Sequence, residues 1–217
     1  MSVSCMQKDC PLMRNLIYKV ITLAFALTLG ISPLASAQTV ERAPSAPEER
    51  MSIGVESDIL SFFISGYSSM VNLSFPNRFQ VAFGVGRYDV PSFLLEGDSN
   101  FETAKWKATV TSVQVLRATY RFRGPMKSGP ALGAVMLNQN WRLRSAPLNG
   151  ESTFRELSAG VTGGYYVHLG KNFYVYPTAA YTYNNAYSGA TSVQGTNYKV
   201  EQFSPNASVH VGWEFGR

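Results

Sequence analysis

The chain has 217 residues, 15% of them charged, 19 basic and 14 acidic, with a formal net charge of +5. That length suits one domain, and the low charge with frequent Gly, Ser, Thr, Tyr and Phe excludes a disordered chain. The mild, scattered positive charge offers no basic patch or stripe, which argues against a nucleic-acid partner.

The amino end has the layout of a secretory signal peptide. Arg14 and Lys19 form a positive region, Val20 to Leu29 an apolar one, and Ala35-Ser36-Ala37 a small-residue cleavage site before Gln38. The apolar run is too short for a membrane helix, and Gly30 and Pro33 would break a buried one. Residues 1–37 are therefore expected to be removed, and Met13 offers a second start that gives a leader of ordinary length. Cys5 and Cys10 leave with this segment, so the mature chain is expected to have neither disulfide nor thiolate chemistry. Three of the 19 basic groups and one of the 14 acidic groups leave too, reducing the net charge to +3.

Residues 38–50 (QTVERAPSAPEER) mix Pro and charge without an apolar period and read as a flexible periplasmic lead-in. From Met51 the period is two. Phe79, Val81, Phe83 and Val85 alternate with Gln80, Ala82, Gly84 and Gly86. Leu157, Ala159, Val161, Tyr165, Val167 and Leu169 oppose Ser158, Gly160, Thr162, Tyr166 and His168. Ala207, Val209, Val211, Trp213 and Phe215 oppose Asn206, Ser208, His210, Gly212 and Glu214. Such alternation gives strands with one apolar and one polar face. It predicts eight, at about 51–59, 66–75, 79–88, 106–122, 131–144, 154–169, 173–186 and 200–215. Short breaks (76–78, 123–130, 170–172) take turns with longer ones (60–65, 89–105, 145–153, 187–199), the pattern of short periplasmic turns and long external loops.

The expected fold over 51–217 is an all-β, eight-stranded antiparallel up-and-down transmembrane β-barrel. Aromatic side chains fit two girdles, with Phe75, Phe79, Phe122, Phe173 and Phe215 at the periplasmic ends and Tyr67, Trp106, Trp141, Tyr183 and Phe203 toward the outer ends. Phe203 and Phe215 are spaced to span roughly 30 Å at ~3.3 Å per residue and a tilt near ~40°. A soluble, lipocalin-like barrel has the same strand count but turns its apolar face inward. The polar face here is rich in Gly, Ser, Thr, Asn and Ala, which suits a narrow lumen better than a watered exterior.

The signal peptide, the eight alternating strands and the near-terminal VHVGWEF resemble the small outer-membrane β-barrel proteins of the OmpX-like and OmpW-like group. The resemblance covers 51–217 and rests on pattern. It implies residence in a Gram-negative outer membrane, contact with outer-membrane lipid, and recognition of the carboxy-terminal strand by the barrel-assembly machinery. Members usually end on an aromatic residue; here Gly216 and Arg217 follow Phe215. The scaffold serves adhesion, solute passage and lipid enzymology, so it implies no single activity.

For chemistry, the mature chain offers only His168 and His210, both on the expected lumen face and without the His-x-Ser spacing of lipid A deacylases. No metal-ligand spacing and no phosphate-binding Gly loop occur, so no catalytic residue, metal or cofactor is assigned. The lumen charges carry more information. Glu56, Asp58 and Glu214 are expected to share the inward face with Arg117 and Arg121, with Arg142 at the outer end, as a charge network that plugs the barrel. The expected function is non-enzymatic, in envelope structure or surface interaction with a ligand the sequence does not name. A narrow conduit for a small molecule, apolar ones included, and a lipid A-modifying barrel enzyme remain as alternatives. The loop at 88–105 carries Phe93, Leu94, Leu95 and Phe101 and serves either to grip a partner or lipid or to fold onto the rim.

Overall fold

The computed structural model describes residues 51–96 and 98–215, so the expected leader and lead-in lie outside the described residues. Eight long strands follow in chain order: β1 (Ser52–Asp58), β2 (Tyr67–Ser74), β3 (Phe79–Val90), β4 (Trp106–Arg121), β5 (Gly129–Ser145), β6 (Gly150–His168), β7 (Phe173–Gly189) and β10 (Phe203–Phe215). Each pairs antiparallel with its neighbours, and β1 against β10 closes the barrel in the order β1-β10-β7-β6-β5-β4-β3-β2. The short β8 (Ser192–Val193) and β9 (Thr196–Asn197) form a separate hairpin. Three short helices, α1 (Ile59–Phe63), α2 (Ser92–Leu95) and α3 (Phe101–Ala104), lie in segments expected to be plain loops.

Register sets the shape. Stepping across pairs from Trp213 leads through Val55, Val71, Phe83, Leu116, Met136, Ala159 and Tyr183, and returns to β10 at Phe203. The trace is displaced by ten residues, from 213 to 203, a shear that requires strongly tilted strands. Tight coiling brings backbones close: a Cβ on Gly133 or Gly160 would lie 2.7 Å from Thr119 Cα or Thr182 Cα. The turns at 75–78, 122–128 and 169–172 share one rim with the start of β1 and the end of β10; the longer connections share the other.

The apolar face is outside. Val55, Val71, Phe83, Leu116, Met136, Val161, Tyr181 and Trp213 are exposed, whereas Glu56, Asn72, Gln80, Arg117, Arg121, Thr162 and Glu214 are buried in the lumen. A contiguous apolar exterior around a polar core reverses the arrangement of a water-soluble protein and rules out the lipocalin-like facing.

Two expected girdle residues are corrected. Trp106 is buried inside the loop rim because β4 bulges between Val110 and Ser112, which reverses facing above the bulge. Trp141 also points inward, stacked on Phe154 at 5.6 Å. On β5 the run Ala131 to Leu137 is apolar on both faces, so alternation does not fix its parity. β5 keeps its odd positions inward throughout, so Arg142, next to the inward Trp141, points outward, 3.5 Å from Glu151 and away from the lumen charges. Tyr67, Phe79, Phe122, Tyr183, Phe203 and Phe215 are exposed at the strand ends, and Phe75 and Phe173 are half-buried there.

Candidate functional site

The lumen holds two ion-paired layers. Nearer the turn rim, the Arg121 guanidinium pairs with the Glu214 carboxylate, which also accepts from Ser74 Oγ at 3.2 Å and faces His168 Nε2 at 3.5 Å. Gln80 extends this layer, donating to Ser74 Oγ (3.1 Å) and accepting from Tyr166 Oη (2.5 Å) and Thr119 Oγ1 (3.4 Å). One layer up, Arg117 Nη2 lies 2.6 Å from Glu56 Oε1. Glu56 Oε2 accepts from Asn72 Nδ2 (3.0 Å) and Tyr174 Oη (2.7 Å), and His210 Nδ1 stands 3.5 Å from Oε1.

Two tyrosines join the layers. Tyr166 and Tyr176 stack at 3.8 Å with 8° between planes, Arg121 lies 4.0 Å from the Tyr166 ring and Arg117 5.1 Å from that of Tyr176. The result is a cation–ring–ring–cation column, in which each guanidinium meets a carboxylate and a π face. Alternation along β6 and β7 puts these rings inside, because Tyr166, Tyr174 and Tyr176 occupy the same parity as Ser158, Thr162 and Thr182. Their position on the polar face was the available sign that they line the lumen rather than a girdle.

Asp58 departs from the expected network. It sits on the inward parity of β1, but its carboxylate accepts from the backbone N–H groups of Leu60 (3.0 Å) and Val209 (3.2 Å), capping α1. Thus Glu56, Arg117, Arg121 and Glu214 come together, while Asp58 and Arg142 serve other contacts. Further up, Glu156 accepts from Gln139 Nε2 and Ser158 Oγ, both at 3.1 Å, and Tyr88 Oη donates to Gln139 Oε1 at 2.7 Å.

An apolar cap closes the loop rim. Leu95, Ala104, Trp106, Ala108, Leu143, Phe154 and Val193 are buried together, with Trp141, Phe101 and Tyr198 packed on them. Burial pushes the Tyr198 phenol up to about 12, with the Glu156, Asp98 and Glu201 charges adding to the shift. The loop at 88–105 therefore folds onto the rim through Leu95 and Phe101, leaving Phe93 and Leu94 exposed. Asp98 latches it: Oδ1 accepts from Asn100 N (2.7 Å), Oδ2 from Lys199 N (2.6 Å), and Asn100 Nδ2 donates to Asn197 O (2.7 Å). Asp98→Ala is expected to cost about 1–3 kcal/mol of cap closure, since it leaves the Lys199 amide without its acceptor. Amide exchange should speed up at 190–202 and remain slow in the strands; unchanged exchange at Lys199 would refute the latch.

The ionic partners of His168 and His210 are Glu214 and Glu56, inside the barrel. Among the described residues no three His, Cys, Asp or Glu side chains gather in a metal-binding group.

No protein-family model matches the chain, and no curated protein matches it. Among solved structures it is similar to the N-terminal β-barrel domain of Pseudomonas aeruginosa OprF, with 13% identity and a TM-score of 0.48, covering 77% of this chain and 98% of that one. Neisserial surface protein A (NspA) shares 16% identity at a TM-score of 0.40, over 76% and 93% of the two chains. A major outer membrane protein from Thermus thermophilus shares 13% identity at a TM-score of 0.45, over 76% and 99%.

Proposed function

We propose that the protein is a non-enzymatic outer-membrane barrel that closes its own lumen and displays a capped loop rim at the cell surface, in envelope structure or surface interaction. The observation that carries this reading is the double ion-pair layer of Arg117–Glu56 and Arg121–Glu214 across the lumen, beneath an apolar cap. Eight strands leave an interior just wide enough for side chains to fill. The ring closed by β1 against β10 pairs the backbone between strands through most of the wall, and the exposed apolar exterior supplies the lipid contact. The carboxy-terminal strand, ending near Phe215, is the segment offered to the assembly machinery.

The protein should fractionate with the outer membrane and migrate differently on a gel before and after boiling. Planar bilayers containing it should show no steady conductance. Recovery in the soluble fraction would sink the membrane assignment, and a constitutive wild-type current would sink the sealed lumen.

A further inference from the structure

Strand length sets the height of the wall. At ~3.3 Å per residue and ~40° of tilt, the seven residues of β1 climb only ~18 Å and the eight of β2 ~20 Å, short of an apolar band about 25 Å tall. β4 to β7, with 16 to 19 residues each, rise well beyond it. The barrel is therefore low on one side. There β10 pairs with β1 only as far as His210 opposite Asp58, so Phe203 to Val209 have β7 along one edge and no strand along the other. Pro205 places no N–H on that stretch, and Asp58 accepts the N–H of Val209.

The chain from 59 to 66 (ILSFFISG) stands above the low wall and carries no charge. Ser61 is the buried residue of α1, while Leu60 (37%), Phe62 (58%) and Phe63 (83%) are exposed. The loop is held in place by Gly66 N donating to Ser61 O (2.9 Å) and Asp89 N to Ile64 O (3.1 Å). Directly below, Val55, Val71, Phe83 and Trp213 line an apolar groove of about 660 Å³ on the outer wall.

We propose that α1 is a lipid-binding edge. It lies in the outer leaflet, and Phe62 and Phe63 among its acyl chains complete the apolar belt where β1 and β2 are too short to do so. The inference rests on the membrane reading above. The occupant is acyl chain, because the exposed side chains of α1 are apolar, the adjoining β1 and β2 turn Val55, Tyr67 and Val71 outward, and residues 59–66 offer no charge to a polar partner. A helical turn also suits that depth, since it satisfies backbone groups that an ended strand would leave open.

The test uses single nitroxide labels in the full chain carrying Cys5→Ser and Cys10→Ser, because no other cysteine is present. Labels at Phe63→Cys, Val71→Cys and Leu94→Cys are reconstituted in phosphatidylcholine vesicles, with the boiling-dependent gel shift as the folding check. Collision with oxygen is compared with collision with a water-soluble nickel chelate. Labels at 63 and 71 should favour oxygen, with 63 the shallower, and the label at 94 on the cap should favour nickel. A label at 63 as open to nickel as that at 94, with 71 still in lipid, overturns the proposal and leaves the membrane reading standing. Nickel access at 71 as well removes the membrane reading itself. Dipolar broadening between labels at 63 would also overturn the proposal, since α1 would then face a second copy of the chain.

Discussion

Glu56→Ala is expected to destabilise the folded barrel by about 3–5 kcal/mol, the cost of leaving a buried charge without its partner. Arg117 is the charge left behind, its side chain 4% exposed and its Nη2 held 2.6 Å from Glu56. Asn72 and Tyr174 lose an acceptor at the same time. The Tyr176 ring at 5.1 Å offers the stranded guanidinium only a cation–π contact, worth far less than the ion pair. Urea titration of the barrel refolded in vesicles measures the cost. Replacing both partners, Glu56→Leu with Arg117→Met, should recover most of the loss, because an apolar pair of similar volume is often neutral against a buried ion pair. A single-variant loss below about 1 kcal/mol, the range of an exposed pair, would mean that water reaches this layer and that the lumen is not sealed.

Alternation made the strands legible because a barrel with opposite environments on its two faces imposes period two over its whole circumference. The β3 face of Phe79 to Val85 and the β10 face of Val211 to Phe215 stand where alternation places them. The partnering of Arg117 with Glu56 and of Arg121 with Glu214 required register and shear, which depend on pairings across the closed ring. The cap was not legible for a physical reason. At the loop rim the lumen is apolar, so Trp106, Trp141 and Phe154 carry the same chemical signature as lipid-facing aromatics. A single bulge near Thr111 then decides which way Trp106 points, and nothing in WKATVTSVQ marks it. Parity alone places Asp58 in the lumen, but parity gives only the direction of a side chain and not its competition for the N–H groups of α1 and β10.

The facing of the wall is the assignment on which the membrane reading depends, and Val161 tests it. It lies on β6 with the polar Thr162 buried beside it, and at 62% it is the most exposed residue of its strand among the large apolar side chains. Its register neighbours Ala134 and Tyr181 also point outward. From the turn rim at His168 it stands about 12–18 Å up the tilted strand, near the middle of an apolar band about 25 Å tall. Val161→Arg should cost on the order of 2–4 kcal/mol in a bilayer, because a guanidinium at that depth has neither water nor partner. Tyr187→Arg, also exposed but near the loop end of β7, should cost about 0–1 kcal/mol, since the headgroup region is within reach of the side chain. Folding into vesicles with denaturant titration gives both numbers, and the difference between them removes any cost common to adding an arginine. If the two variants cost the same, or Val161→Arg folds as well without lipid as with it, the exposed apolar wall does not face a bilayer.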